Sequence, residues 1–169
     1  MQLAYLAGGC FWCIEAIFQR INGVKSVNSG YCNGDTIGPT YTQVCSGTTG
    51  HAETLKIEFD ESIISYEELL EVFFQIHDPT SLNKQGNDHG TQYRSAIFFT
   101  NKNQQSIAQD IINTLGNDVV TEVTEIDIFY EAESYHNNYF NNNSNQPYCQ
   151  LVIAPKIKKY FSINTNNNE

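Results

Sequence analysis

The chain has 169 residues, of which 40% are hydrophobic, as is typical of one globular domain with a sizeable core. Its formal net charge of −10 disfavours binding to nucleic acid and to anionic membrane surfaces. No apolar run is long enough to span a bilayer, and the first residues lack the basic segment of a signal peptide. We therefore expect a cytoplasmic protein that binds neither nucleic acid nor membranes.

The first third of the chain predicts a strand, a helix and a second strand. Residues 3–7 form a short apolar run that ends at Gly8-Gly9, as in a buried strand followed by a tight turn. The apolar residues that come next recur at helical spacing: Ile14, Ile17, Phe18 and Ile21. Residues 24–31 predict another strand, and the glycine-rich residues 30–50 predict an irregular loop.

The middle of the chain predicts a helix between two strands. Residues 55–59 alternate between apolar and polar side chains, which favours a strand. Ser65 and Glu68 have the spacing of a capping box, so a helix is expected to begin there and to end before Pro79. The short apolar run at residues 95–99 predicts the next strand.

The last third predicts three more helices and one strand. A helix is expected to end at Gly116, and its buried face consists of Ile107, Ile111 and Leu115. Residues 119–126 predict a strand and residues 131–140 a helix. A short final helix is expected at residues 157–161.

Strands and helices that alternate irregularly, with several short gaps, are typical of the α+β class. We therefore expect a two-layer sandwich with a mixed, ferredoxin-like central sheet and flanking helices. Residues 1–161 are expected to form a single domain, and the polar residues 162–169 a flexible C-terminal tail. A monomer is expected.

Two cysteines lie three residues apart where the first predicted helix begins, in the stretch Gly9-Cys10-Phe11-Trp12-Cys13. A cysteine at a helix N-terminus faces free backbone N–H groups and the positive end of the helix dipole, and both favour the thiolate. Cys10 is therefore the candidate nucleophile. Cys13 lies within reach across one helical turn, so the pair can form a redox disulfide.

Other interpretations of the five cysteines stay open. Their odd number argues against a structural disulfide framework. A zinc-binding module is one alternative, although the chain has a single C-x-x-C pair and a closed structural site needs four ligands. A thioredoxin-like disulfide exchanger is the closer one. Those proteins carry Trp immediately before the first cysteine of the pair, whereas here Trp12 precedes the second.

Two further stretches carry candidate site residues. Glu53 follows the polar residues 41–52 at the entry to a predicted strand, where partial desolvation raises a carboxyl pKa toward use as a general acid. Residues 86–95 form a polar, glycine-flanked loop, with Asp88 and Tyr93, that leads directly into the next strand. Loops held by rigid strands often carry binding groups. Considered alone, each residue also fits an ordinary surface or core position.

Together these stretches resemble the A-type methionine sulfoxide reductases, the peptide-methionine (S)-S-oxide reductase family. The matching segments are Gly-Cys-Phe-Trp-Cys at 9–13, Pro-Thr-Tyr-Thr-Gln-Val-Cys-Ser-Gly-Thr-Thr-Gly-His-Ala-Glu at 39–53, and Gly-Thr-Gln-Tyr-Arg-Ser at 90–95. Residues 77–80 and 132–136 agree more weakly. The resemblance extends from about Leu3 to Tyr160, and the order and spacing of its segments make it specific.

The resemblance implies reduction of the S epimer of methionine sulfoxide, free or in oxidised proteins, without a cofactor or a metal. Oxygen leaves a sulfoxide only when it is protonated, so the reaction needs a thiolate and an acid. By resemblance, Cys10 attacks the sulfur and Glu53 is the acid. Further implied contacts with the substrate are Tyr41 and Tyr93 at the oxygen, Asp88 on the polar side of the pocket, and Phe11 and Trp12 around the methyl group.

A second thiol is needed, because the attack leaves Cys10 as a sulfenic acid. Cys13 is the expected resolving cysteine, with Cys149 as the second choice. Cys32 and Cys45 are expected to be bystanders. The resemblance implies thioredoxin as the partner that reduces the resulting disulfide.

Overall fold

A six-stranded sheet forms the centre of the structure, a computed structural model that describes residues 1–166. Its strands lie in the order β7-β6-β1-β3-β2-β8. The bounds of these strands are β1 Gln2–Gly8, β2 Val24–Cys32, β3 Ala52–Phe59, β6 Ser95–Phe99, β7 Glu122–Glu125 and β8 Tyr130–Glu131. Two further short strands, β4 (Lys84–Gln85) and β5 (Asp88–His89), pair only with each other.

Among residues 1–166, six α-helices accompany the sheet. Their bounds are α1 Phe11–Phe18, α2 Tyr41–Cys45, α3 Tyr66–Ile76, α4 Lys102–Leu115, α5 Tyr139–Asn142 and α6 Ala154–Asn166. Single turns of 3₁₀ helix occur at Thr91–Tyr93 and Ser134–His136, and a π-helical turn at Cys149–Ile153 leads into α6. Within the described residues, no helix combines the length and apolar character needed to span a bilayer.

The sheet is mixed and its two faces are covered differently. β1 pairs antiparallel with β3 and β6, whereas β6 and β7 are parallel. Side chains of a strand alternate between faces, so Ala4 and Leu6 join the core under the helices while Ala7 joins a second cluster with Phe98. Burial of a large side chain such as Leu6 contributes about 1.5–3 kcal/mol. The predicted α+β fold with a mixed sheet and flanking helices is confirmed.

Helix α1 lies deep in the molecule. All of its residues are buried except Trp12, because the segment is apolar on almost every side. The predicted capping box also begins α3, since Ser65 and Glu68 satisfy each other's backbone N–H groups. Gly116, with φ of 114°, ends α4 as predicted.

The predicted helix over residues 131–140 is wrong. Tyr130 and Glu131 instead pair with β2, which extends the edge of the sheet, and a 3₁₀ turn follows. Asn138 has φ of +57°, a left-handed conformation that a continuous helix cannot contain. Within this range, only Tyr139 and Phe140, the first two residues of α5, are α-helical.

Three other segments differ in extent from the prediction. The region 30–50, expected to be irregular, contains α2, which is held by a capping box of Thr40 and Gln43. The strand expected over 119–126 is limited to β7, because only four of its residues pair with β6. Helix α6 extends from Ala154 to Asn166 and is longer than the helix expected over 157–161, while the expected domain boundary at residue 161 stays a prediction. Residues 167–169 of the expected tail lie outside the described residues.

Candidate active site

Cys10 caps the N-terminus of α1, directly after the Gly8-Gly9 turn that ends β1. Its thiol makes no capping hydrogen bond, and the side chain is partly exposed. Gly9 has φ of +89°, and a Cβ atom there would lie 2.7 Å from Cγ of Gln85. Because only glycine fits such a turn without strain, the turn fixes where the sulfur emerges.

Glu53 reaches the same helix start from β3. Its Oε1 accepts a hydrogen bond of 3.2 Å from the backbone N–H of Phe11. The residue is 1% exposed, and its Oε2 is buried without a hydrogen-bond partner among the described residues. Burial is the main reason why the pKa of Glu53 rises to about 8, with the charge of Asp88 adding to the effect and the Phe11 N–H opposing it. At neutral pH the carboxyl group is therefore mostly protonated and can give up a proton.

Two tyrosine hydroxyls lie close to these groups. Tyr41 begins α2, and Tyr93 ends the 3₁₀ turn before β6. Burial raises the pKa of both phenols well above the ordinary value, and the charge of Glu53 and the thiol of Cys45 raise it further. Asp88 also faces this region, since its charge raises the pKa of Glu53 and Tyr93. Both tyrosines therefore keep their protons and can donate hydrogen bonds.

The thiols of Cys10 and Cys13 titrate as a pair. A hydrogen bond between them, together with burial, raises the pKa of Cys10 well above the ordinary value. The same hydrogen bond, assisted by the charge of Lys156 and against the effect of burial, lowers the pKa of Cys13 to about 6. At neutral pH the pair thus holds one proton and one negative charge. The two sulfurs share one proton, and its transfer from Cys10 to Cys13 makes Cys10 the thiolate, so ionisation of Cys10 stays a prediction.

Trp12 is framed by aromatic side chains from the C-terminal part of the chain. Its Nε1 donates a hydrogen bond of 3.0 Å to Nδ1 of His136. The indole stacks on Tyr139, with ring centroids 3.8 Å apart and planes 7° from parallel. Tyr148 meets it edge-on at 5.9 Å, and the Tyr148 hydroxyl lies 3.5 Å from Sγ of Cys13. Together these rings form an aromatic wall beside the two thiols.

The sequence did not identify several of these residues. His136 lies in a stretch, residues 132–136, that showed only weak family resemblance, and Glu133 in the same stretch accepts a hydrogen bond of 3.1 Å from the backbone N–H of Tyr41. That weak match was the only sequence signal that could have identified His136 and Glu133 as site residues. Tyr139 and Tyr148 had none, because more than 100 residues separate them from Trp12.

The two residues expected around the substrate methyl group differ in exposure. Phe11 has no exposed surface and packs on Tyr31 and Tyr41, with ring centroids 5.8 and 6.4 Å apart. Trp12 is partly exposed. Their role as pocket walls stays a prediction, and Trp12 is the one of the two that presents accessible ring surface.

All five cysteines are free thiols. Cys149 is completely buried and packs in one cluster with Cys13, and burial raises its pKa. Cys32 lies in the cluster on the other face of the sheet, where burial raises its pKa to about 12. Cys45 is exposed on α2. Cys13 is therefore the thiol in direct contact with Cys10, and Cys149 lies behind it.

A separate groove of about 540 Å³ lies between α1, α3 and α6. It is lined by residues such as Ile76, Lys156 and Tyr160, and it contains neither Cys10 nor Glu53. Among residues 1–166, no group of three or more His, Cys, Asp or Glu side chains is arranged to hold a metal ion. The chemically active groups thus gather at the N-terminus of α1 and not in this groove.

The model of one protein family, peptide methionine sulfoxide reductase, matches residues 2–169 of the chain. The chain belongs to this family. MsrA of Ruthia magnifica is 62% identical over 162 residues, which cover 96% of this chain and 99% of that protein. MsrA of Saccharolobus solfataricus is 53% identical over 167 residues, which cover 96% of this chain and 94% of that protein.

Solved structures of MsrA proteins have the same fold. Reduced Mxr1 from Saccharomyces cerevisiae superposes with a TM-score of 0.79 at 36% identity, covering 88% of each chain. Methionine sulfoxide reductase A of Corynebacterium diphtheriae superposes with a TM-score of 0.76 at 32% identity, covering 85% of this chain and 75% of that one. Mxr1 in complex with Trx2 superposes with a TM-score of 0.56 at 26% identity, covering 80% of this chain and 83% of that one.

Membership of the MsrA family gives the activity. The chain is an oxidoreductase that reduces methionine sulfoxide to methionine at the expense of thiols. Neither the zinc-binding module nor the general disulfide exchanger is therefore needed to explain its cysteines. The roles of its individual residues are a separate question, which the geometry around Cys10 addresses.

Proposed function

We propose that Cys10 is the nucleophile and Glu53 the proton donor for the reduction of methionine sulfoxide. The observation that supports this most is the hydrogen bond from the Phe11 N–H to the buried Glu53 carboxyl group. It brings a neutral acid to the residue next to the cysteine at the start of α1. A thiol and a proton donor side by side are what the sulfoxide requires.

In the first step, the thiolate of Cys10 attacks the sulfoxide sulfur while Glu53 gives its proton to the oxygen. Tyr41 and Tyr93 donate hydrogen bonds to that oxygen as negative charge builds on it. The attack joins Sγ of Cys10 to the substrate sulfur. The protonated oxygen then moves from that sulfur to Sγ as the bond between the two sulfurs breaks, and methionine leaves with the electron pair of that bond. The oxygen remains as the hydroxyl group of a Cys10 sulfenic acid.

Selection of the S epimer follows from three fixed contacts around the substrate sulfur. The thiolate approaches from one side, the oxygen points to the acid and the tyrosines, and the methyl group is held by the exposed ring of Trp12. Asp88 borders the polar side of the pocket. The R epimer would exchange the positions of oxygen and methyl group, and an apolar ring offers oxygen no hydrogen bond.

Cys13 is the proposed resolving cysteine. Its sulfur attacks the sulfur of the Cys10 sulfenic acid, a disulfide forms, and the hydroxyl group leaves as water with the proton that Cys13 received from Cys10. Support comes from the packing of Cys10 against Cys13 and from the lowered pKa of Cys13, about 6, which lets it give up that proton at neutral pH. Cys149 stays the second choice, since it is packed behind Cys13.

A dithiol of the thioredoxin type is the proposed reductant, because the relative Mxr1 forms a complex with Trx2. The dithiol exchanges with the Cys10–Cys13 disulfide and returns both thiols. The net reaction converts a sulfoxide and a dithiol into methionine, a disulfide and water. Five free thiols suit a reducing compartment, so the cytoplasm is the proposed location.

The decisive experiment offers the chain both sulfoxide epimers with dithiothreitol. We expect consumption of the S epimer alone, complete loss of activity in Cys10→Ser, and normal activity in the control Cys32→Ala, on the other face of the sheet. In a single turnover without reductant, peptide mapping should find one methionine released per Cys10–Cys13 disulfide. A Cys10–Cys149 disulfide in its place would transfer the resolving role to Cys149. Consumption of neither epimer, or activity in Cys10→Ser, would disprove the assignment of Cys10.

A further inference from the structure

Helix α1 is held against the segment that contains α5 by a row of polar side chains. Gln19 Nε2 donates to Oδ1 of Asn138 at 3.2 Å, and Arg20 Nη2 donates to Oδ1 of Asn141 at 2.7 Å. Both contacts are exposed to solvent, where such hydrogen bonds contribute little. The buried member of the row is Glu15, which the reaction above does not use.

Glu15 is completely buried and binds successive backbone N–H groups of the opposite segment. Its Oε2 accepts from the N–H of Asn138 at 3.0 Å, and its Oε1 from the N–H of Tyr139 at 3.1 Å. The Ser29 hydroxyl donates to Oε2 at 3.4 Å. Within residues 1–166 no cationic side chain pairs with this carboxyl group. It therefore acts as a cap for the start of α5, at the point where Asn138 adopts a left-handed conformation.

The amide of Tyr139 is held by Glu15, and the ring of Tyr139 stacks on Trp12 at 3.8 Å. Trp12 and Glu15 are three residues apart on one face of α1, so a single helix face makes both contacts. His136, in the preceding turn, accepts the Trp12 N–H. The position of the indole thus depends on the segment that Glu15 ties to the helix.

We propose that Glu15 is a positioning residue for the substrate pocket, which acts through Tyr139 to hold the Trp12 ring in place. This inference rests on the proposed role of Trp12 as a wall for the methyl group. Loss of the Glu15 carboxylate loosens the start of α5, unstacks Tyr139 and lets the indole move, while Cys10, Cys13 and Glu53 keep their places.

The variant Glu15→Gln tests this, because glutamine has the same shape but only one acceptor oxygen for the two N–H groups. Since a small misplacement of a pocket wall can cost up to ~10²-fold, we expect kcat/KM to fall by about 10-fold, mainly through KM. Alkylation of Cys10 by iodoacetamide should keep its rate. Trp12 is the only tryptophan in the chain, so a change in fluorescence reports the lost stacking directly.

The matched control is Glu68→Gln, which removes another carboxylate from the N-terminus of a helix, at α3 and with no contact to Trp12. It should leave KM and fluorescence unchanged. In a Tyr139→Ala background, Glu15→Gln should add no further loss of kcat/KM. Independent, multiplying losses in the double variant would overturn the proposal, as would unchanged fluorescence in folded Glu15→Gln.

Two additional outcomes distinguish a failure of this inference from a failure of the proposed role of Trp12. If Glu15→Gln fails to fold, Tyr139→Ala alone must raise KM and change the Trp12 fluorescence, and absence of either effect would overturn the inference. If Trp12→Ala leaves KM unchanged, the proposed role of Trp12 as a pocket wall is wrong and the pocket function of Glu15 falls with it. The fluorescence of Glu15→Gln then still shows whether Glu15 positions the indole.

Discussion

Substitution of Glu53 by glutamine tests whether the buried carboxyl group is neutral in the folded chain. Glutamine has the same shape and can accept the Phe11 N–H, but it never ionises. At pH 7 the unfolded chain carries an ionised carboxylate with the ordinary pKa of 4.5, whereas the folded chain, with a pKa of about 8, holds the proton. Folding therefore takes up a proton, and stability falls as pH rises from 4.5 toward 8.

The size of this effect follows from the two pKa values. Each pH unit above 4.5 costs about 1.4 kcal/mol until the folded group itself ionises, which amounts to about 3 kcal/mol at pH 7. We expect Glu53→Gln to recover that free energy of unfolding. The same variant should release methionine more slowly in a single turnover, by about 10²–10⁴-fold, because it cannot protonate the oxygen.

Denaturant unfolding in reducing buffer at pH 5 and pH 7.5 measures how much free energy of unfolding Glu53→Gln gains over the parent. This gain should be small at pH 5 and large at pH 7.5. Glu68→Gln provides the opposite control, because hydrogen bonds from Ser65 lower the pKa of Glu68, so its contribution is present above its ordinary pKa and lost in acid. If Glu53→Gln is less stable than the parent at both pH values, or if the difference between them does not change with pH, the carboxyl group is not neutral and the acid role must be abandoned.

Three further predictions concern the reacting groups. The single-turnover rate should rise with pH through about 6, as the thiol pair ionises, and fall above about 8, as Glu53 ionises; stopped-flow profiles of Glu53→Gln should lack the fall. Tyr41→Phe and Tyr93→Phe should each slow methionine release by about 10²–10³-fold without a change in circular dichroism, and two fully active variants would remove the tyrosines from the reaction. Gly9→Ala should lower the free energy of unfolding by about 1–2 kcal/mol, because its φ is +89°, and should slow alkylation of Cys10; an unaffected alkylation rate would mean that the turn does not place the sulfur.

Local features of the sequence were sufficient to predict where the helices α1 and α3 begin. The Gly8-Gly9 turn and the apolar spacing after it placed Cys10 at a helix start, and the Ser65–Glu68 pattern placed the start of α3. These signals are local because turns, caps and helical periodicity are decided within a few residues.

Long-range contacts account for what the sequence did not predict. The helix expected over 131–140 is replaced by pairing with β2, which overrides local preference. The aromatic wall depends on Tyr139 and Tyr148 folding back onto Trp12. The helix-dipole argument treated Cys10 as an isolated thiol, whereas its titration is coupled to that of a second sulfur, Cys13.

Glu53 belongs to β3 and Cys10 follows β1 by two residues, and these two strands pair in the middle of the sheet. The tyrosine hydroxyls, by contrast, come from a five-residue helix and a three-residue turn at the periphery. A designer who diversifies those two peripheral pieces can therefore select for new oxidised peptides or bulkier sulfoxides. The spacing between sulfur and acid would be inherited unchanged by every member of such a library.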